Sequence, residues 1–220
     1  MRIESVNVGM PREVPWHGRP VTTGIFKSPV GERIAVRTLN LDGDRQADLT
    51  VHGGKDKAVY CYSIAHYAFW RHELPGHELL PGAFGENLTV DAPGEDEVFL
   101  GDRYRVGTAE TLVTQPRLPC YKLGLKFEDD GMVKRFLASG RMGFYLAVTR
   151  EGTVAAGDEM ELIERATDSV PVSEVRRLYV TKSYSLEDRR QLEKLLAVAA
   201  LPESWKHYLR ERLAASPQLA

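Results

Sequence analysis

Apolar and polar residues alternate with period two in a series of short runs, and near Asp168 the spacing changes to that of helices. The first run, Ile3-Glu4-Ser5-Val6-Asn7-Val8, stops at Gly9 and predicts a half-buried strand. Residues 33–41 alternate through most of their length and stop at Asp42-Gly43, a strong turn pair, so a strand is expected there too. Residues 100–106 and 156–162 share one pattern, a Gly-Asp turn feeding an alternating strand. Residues 111–115 read as a further strand, and Gly143-Phe144-Tyr145-Leu146-Ala147-Val148-Thr149 as a buried one. Two helices interrupt the series. Residues 57–71 carry Val59, Tyr60, Ile64, Tyr67, Ala68 and Phe69, apolar on too many sides for a surface helix, which predicts a sandwiched one. Residues 132–138 form a shorter helix that Gly140 ends as a C-cap.

From Val172 onward the chain has no glycine, and three short amphipathic helices are predicted. Ser173 and Ser185 stand as N-caps, the second with Asp188 three residues on. Trp205, Tyr208, Leu209 and Leu213 form one apolar stripe. Helices this short do not bury their faces alone, so they must pack on each other or on the strands. The pattern therefore predicts a mainly β domain over residues 1–165 and a three-helix domain over residues 170–216.

Composition narrows the function classes. With 43% hydrophobic residues, 27% charged residues and a net charge of −2, the chain is an ordinary globular sequence without the basic excess of a nucleic-acid binder. Its two cysteines, Cys61 and Cys120, cannot build a disulfide framework or a four-cysteine metal site. No apolar run approaches the ~20 residues that cross a bilayer, and residues 1–10 lack a signal-peptide core. The expectation is a cytoplasmic protein with reduced thiols. There is no His-Glu-x-x-His, and no Gly-x-Ser-x-Gly elbow.

Cys120 is the sharpest chemical candidate. It lies in Gln115-Pro116-Arg117-Leu118-Pro119-Cys120-Tyr121-Lys122, where two prolines stiffen the backbone and Arg117 and Lys122 stand close in sequence. A free thiol is only about 3% thiolate at neutral pH, and nearby cations raise that fraction. The local setting leaves two readings open, a ligating or reactive thiolate and a small buried apolar thiol. Cys61, within the apolar helix expected over 57–71, reads as inert. Val51-His52-Gly53-Gly54-Lys55-Asp56-Lys57 would either approach an anion ahead of a helix N-terminus or make a tight turn capped by Asp56. Asn87, after the turn Pro81-Gly82-Ala83-Phe84-Gly85, would offer its amide to a ligand or to its own loop. Lys27 stands at a strand end as a surface lysine, and Glu128, Asp129 and Asp130 read as a solvated turn.

In their order along the chain these segments resemble the MOSC family, the C-terminal domain type of molybdenum cofactor sulfurases. The matching elements are Gly24-Ile25-Phe26-Lys27-Ser28-Pro29-Val30, the His52-Gly53-Gly54 turn with Lys57, and Gly85-Glu86-Asn87-Leu88. The most specific is the Gln115–Lys122 segment, together with the late Gly157-Asp158 strand. The last three helices look like the small domain of the YiiM-like branch. The resemblance implies a mainly β fold with α, a closed or partly open MOSC β-barrel with inserted helices plus a small C-terminal three-helix domain. It implies molybdenum cofactor (molybdopterin with Mo), with Cys120 as thiolate ligand to the metal, a soft donor for a centre already bound by sulfur. Lys27, His52, Lys57, Asn87 and Arg117 are then expected around the pterin and its phosphate. The implied activity is reduction of N-hydroxylated bases such as 6-hydroxylaminopurine. Larger relatives cover the cofactor with an extra N-terminal barrel portion, so here the C-terminal helices or a second subunit of a homodimer would cover it. Two cysteines hold no four-thiolate iron–sulfur cluster and Gly-x-Gly-x-x-Gly is missing, so electrons are expected from a separate flavin or iron–sulfur protein. Two alternatives remain, a sulfur carrier using a Cys120 persulfide and a non-catalytic cofactor-binding protein.

Overall fold

The alternating runs pair into one curved eight-stranded sheet in the computed structural model, which describes residues 1–49, 53–91 and 94–216. In chain order the strands are β1 (Ile3–Val8), β2 (Arg12–Trp16), β3 (Arg19–Thr23), β4 (Ser28–Val30), β5 (Ile34–Val36), β6 (Val59–Ser63) and β7 (Leu88–Val90). They continue with β8 (Arg103–Val106), β9 (Ala109–Pro116), β10 (Phe144–Arg150), β11 (Gly152–Val154) and β12 (Met160–Glu164). The helices are α1 (Ala65–Glu73), α2 (Tyr121–Phe127), α3 (Met132–Ser139), α4 (Val172–Val180), α5 (Leu186–Ala197) and α6 (Glu203–Ala215). The sheet order is β12-β8-β9-β10-β6-β7-β1-β4, antiparallel throughout except for β6 against β7. The start of β1 curls round to the entry of β12: Ile3 N donates to Asp158 O (2.9 Å), Gly157 N to Ile3 O (2.7 Å) and Met160 N to Met1 O (2.8 Å). These bonds, with β4 left at the edge, make a partly open barrel. β5 and β11 form a separate two-stranded ladder, and β2 and β3 a hairpin.

Both faces of β6 are covered. Val59 and Cys61 enter the barrel core beside Leu88, Phe144 and Leu146, while Tyr60 and Tyr62 enter an aromatic cluster with Trp70, Phe84 and Phe136. This double burial explains why the helix expected over 57–71 is wrong: residues 59–63 are a strand, and only Ala65–Glu73 is helical. A strand buried on two faces loses its alternation and reads as a continuous apolar run. The expected strand over 33–41 shortens to Ile34–Val36, because Leu41 turns back to bridge Val36. Asp56 does not cap a helix. Lys55–Lys57 is a single 3-10 turn preceded by Gly54 at φ 98°, with no side-chain cap.

Later punctuation follows the sequence more closely. Gly140 ends α3 at φ 74°, and Ser185 caps α5 in a reciprocal box with Asp188. Ser173 is not a cap, since Pro171 takes that position on α4. Val175, Leu178, Leu192, Leu195 and Leu209 are buried in the same continuous core as the barrel strands, which is how helices this short are held. Among the described residues no helix is long and apolar enough to cross a membrane.

Candidate functional site

β9 carries the Gln115–Cys120 segment to the rim of the sheet and stops at Pro116, which has no N–H for a further rung. Arg117 N makes the last bond, to Gly143 O at 3.2 Å. Gly143 is itself fixed, because its N–H and that of Met142 donate to the buried Glu95 carboxylate at 2.7 and 2.9 Å. Beyond Pro119 the chain reaches Cys120 in extended geometry and enters α2 at Tyr121. Cys120 is partly exposed.

There the sheet opens into a narrow cleft of about 90 Å³ beside Cys120. Its walls come from Thr23, Gly24, Ile25 and Lys27, residues 45–47, Lys57 and Tyr60, Gly85 and Asn87, Arg117, Leu118, Cys120 and Lys122, and Tyr145. Lys27, Lys57, Asn87, Arg117 and Cys120, expected together from the sequence, all line it. His52 lies outside the described residues. The helices after residue 170 contribute no described residue to the lining, so the expected cover from the C-terminal domain is not how the cleft is built.

The cleft is basic. Lys27, Arg45, Lys57, Arg117 and Lys122 line it, and among the described residues no acidic side chain does. These cations differ in what they already hold. Lys27 is no surface lysine: its Nζ is bonded to Asp44, whose side chain is fully buried. Asp44 also accepts Gly9 N (2.9 Å) and Asn87 Nδ2 (2.9 Å). Burial pushes the Lys27 pKa down, and Asp44 opposes that shift without cancelling it. Asn87 is equally engaged, with Oδ1 accepting Tyr60 N at 3.1 Å and Nδ2 reaching Asn7 O at 3.3 Å. Lys27 and Asn87 thus build the wall, their polar atoms committed to it. Lys57 is half-buried, and its pKa is lowered by burial against the pull of Asp56.

Arg117 is different. It is 5% exposed, and its guanidinium lies 5.1 Å from the Phe136 ring centre and 5.4 Å from that of Tyr60. Its Nη1 has no hydrogen-bond partner. A buried charged donor left unsatisfied costs about 1–3 kcal/mol, so the position is one that an anion would complete. Lys122, buried two residues beyond Cys120, and Arg45 complete the basic lining, and neither was singled out from sequence as a binding residue. Lys122 was legible as part of the Cys120 motif; Arg45 carried no signal.

The opposite wall is braced by two more buried charges. Glu86 accepts Gly82 N (2.9 Å), Phe84 N (3.1 Å), Thr89 Oγ1 (2.9 Å) and the Tyr67 hydroxyl, which fixes the turn carrying Gly85. Gly85 sits at φ 83°, where a Cβ would come within 2.9 Å of Ile25. Lys126 ties the two segments together by donating to Ile25 O (3.1 Å) and Gly82 O (2.7 Å). Burial, helped by the neighbouring cations and opposed by Glu86, pushes Lys126 down to about 8. The unfolded chain keeps that proton up to its ordinary value of 10.5, so between these values the unfolded state binds more protons. Stability from this group should therefore rise with pH across that window. Urea unfolding at both ends of it should show the rise in the wild type and a flatter profile in Lys126→Met.

Cys61 faces the barrel core, away from the cleft, and burial pushes its thiol far above the usual range, in keeping with an inert role. Cys120 is thus the thiol available to a ligand in the cleft.

Residues 48–161 match the MOSC domain, and residues 170–215 match the YiiM-like 3-alpha helix domain. The chain is 39% identical to the uncharacterized protein YflK of Bacillus subtilis, over 92% of this chain and 90% of YflK. The crystal structure of YiiM from Geobacillus stearothermophilus superposes with a TM-score of 0.78 at 32% identity, covering 96% of this chain and 98% of that one. A longer protein of Gibberella moniliformis named as a reductase is 30% identical over 91% of this chain, which spans 36% of its length. The chain belongs to the MOSC family, which is associated with the molybdenum cofactor, and it carries the YiiM-like three-helix domain.

Proposed function

We propose that this protein is a molybdenum cofactor-dependent reductase of N-hydroxylated compounds, 6-hydroxylaminopurine among them, working in the cytoplasm. The observation that carries this reading is the pairing, in one basic cleft, of an available thiol on Cys120 with the unsatisfied Nη1 of buried Arg117. The residues fit the group in both its chemistries. Arg117, Lys57 and Lys122 are hard cationic donors suited to the phosphate of the pterin tail, and Cys120 is the soft donor suited to molybdenum. His52 stays in the proposed set by resemblance.

The bound group supplies the two-electron chemistry of reduction, and the chain's part is to bind and orient it. Arg117 and Lys57 would neutralise the anionic tail, Lys27 and Asn87 would hold the wall against which it rests, and Cys120 would hold the metal through its sulfur. The overall change consumes two electrons and two protons, breaks the N–O bond and yields the amine and water. A separate flavin or iron–sulfur protein delivers the electrons, since this chain's two cysteines hold no four-thiolate iron–sulfur cluster. We place the domain boundary between residues 165 and 170, with the barrel holding the cofactor.

The test is reduction of 6-hydroxylaminopurine by cofactor-loaded protein, with dithionite-reduced viologen as donor. Turnover with viologen and none with NADPH alone is expected. Bound cofactor with no reduction of any N-hydroxylated compound would make the protein a binding module instead.

A further inference from the structure

The C-terminal helices do not line the cleft, yet one of their side chains reaches the helix that supports it. α3 is an eight-residue helix, too short to hold its own last turn firmly, and its final carbonyls need donors. Side chains supply them. Ser139 Oγ turns back to Phe136 O at 2.8 Å, and Arg176 Nη2 donates to Leu137 O at 2.6 Å and Ala138 O at 3.4 Å. A cation at this end also complements the helix dipole. Gly140, left-handed at φ 74°, ends the helix beside the Arg176 guanidinium.

Arg176 comes from α4, which is itself locked to the barrel. Val172 N donates to Val98 O at 2.9 Å and Ser173 N to Glu95 O at 3.1 Å, while Val175 and Leu178 are buried in the barrel core. Arg177 adds a bond to Asp188 on α5 at 2.6 Å. On its other side α3 delivers Phe136, stacked on Trp70 at 5.5 Å and lying 5.1 Å under the Arg117 guanidinium. A continuous path of contacts therefore runs from the three-helix unit to the unsatisfied donor of the cleft.

We propose that Arg176 is a positioning residue: it holds the end of α3 and, through Phe136, sets where the Arg117 guanidinium points in the cleft. On this account the C-terminal helices serve the site at one remove instead of covering it. The proposal rests on the reading of the cleft as an anion site, and its test separates the two.

The Arg117 Nε–Hε signal is followed by NMR, assigned with Arg117→Lys, and inorganic phosphate binding to the cofactor-free protein is measured by calorimetry. In Arg176→Ala the Arg117 signal should shift and broaden, and the phosphate dissociation constant should rise about 3–10-fold, the loss of one ring–cation contact. Arg176→Gln, whose amide still reaches one carbonyl, should fall between, and it carries the test should the alanine variant not fold. Phe136→Leu combined with Arg176→Ala should weaken phosphate no more than Phe136→Leu alone, because both act on one path. A movement of the Arg117 signal in a protein that binds no phosphate would uphold the positioning role and sink the anion reading. If both Arg176 variants lower the melting temperature but leave the Arg117 signal and phosphate affinity at wild-type values, Arg176 is structural only and the proposal is overturned.

Discussion

Arg117→Met should raise the melting temperature of the cofactor-free protein and at the same time weaken its binding of inorganic phosphate. The two effects have one cause. In the free protein the guanidinium is buried with Nη1 unsatisfied, while its ring contacts with Phe136 and Tyr60, at 5.1 and 5.4 Å, lie toward the outer end of such interactions. Methionine keeps most of the volume and fills the space between the rings without a charge to desolvate. Relief of about 1 kcal/mol corresponds to roughly 2–4 °C in a protein of this size. The same change removes a charge-assisted contact to the anion, which is about 1.5–3 kcal/mol, or roughly ten- to hundredfold in affinity. A stability gain with a binding loss is the signature of a residue kept for its ligand. Thermal melts and phosphate calorimetry on the two proteins measure both signs. A variant that melts lower and binds phosphate as before would mean that Arg117 is a packing residue.

Asp44→Asn should be the most destabilising single change in the wall of the cleft. The carboxylate is fully buried and holds three donors, Lys27 Nζ, Gly9 N and Asn87 Nδ2. Removing its charge leaves the buried Lys27 cation without its counterion, which costs about 3–5 kcal/mol, or roughly 6–20 °C. Since burial already lowers the Lys27 pKa, the variant should shed the lysine proton at still lower pH, and its stability should recover as pH rises. Adding Lys27→Met should restore much of the loss, because an apolar pair of similar volume needs no counterion. Chemical unfolding of the single and double variants decides it. If Asp44→Asn costs no more than an exposed ion pair, Asp44 does not hold the wall.

These two residues mark what could be read from the sequence and what could not. Lys27 and Asn87 were legible as members of a set, through the order of their segments. Their shared partner Asp44 was not, because it lies 17 residues from Lys27 and 43 from Asn87 and meets them only after folding. Period two recovered β1 to its ends, and the Ser185 box and the Gly140 stop were readable because cap chemistry is local. β6 was misread since an aromatic cluster covers the face that would otherwise be polar. α2 was missed for a related reason: it is seven residues long and contains Gly124, required because a Cβ there would lie 2.9 Å from Asp129 O. The C-terminal helices were correctly placed as a packed unit, while their contact with α3 runs through Arg176, which nothing local distinguishes from its neighbour Arg177.

In the proposed function Cys120 ligates the metal of a cofactor whose anionic tail is held by Arg117. Molybdenum and pterin content should be measured in wild type and Cys120→Ser, both produced in a host that makes the cofactor. Molybdenum and pterin are expected together in the wild type, with molybdenum lost from Cys120→Ser while the basic cleft still retains pterin. Molybdenum kept at the wild-type level by Cys120→Ser would contradict it, as would a wild type that carries a persulfide on Cys120 and no molybdenum.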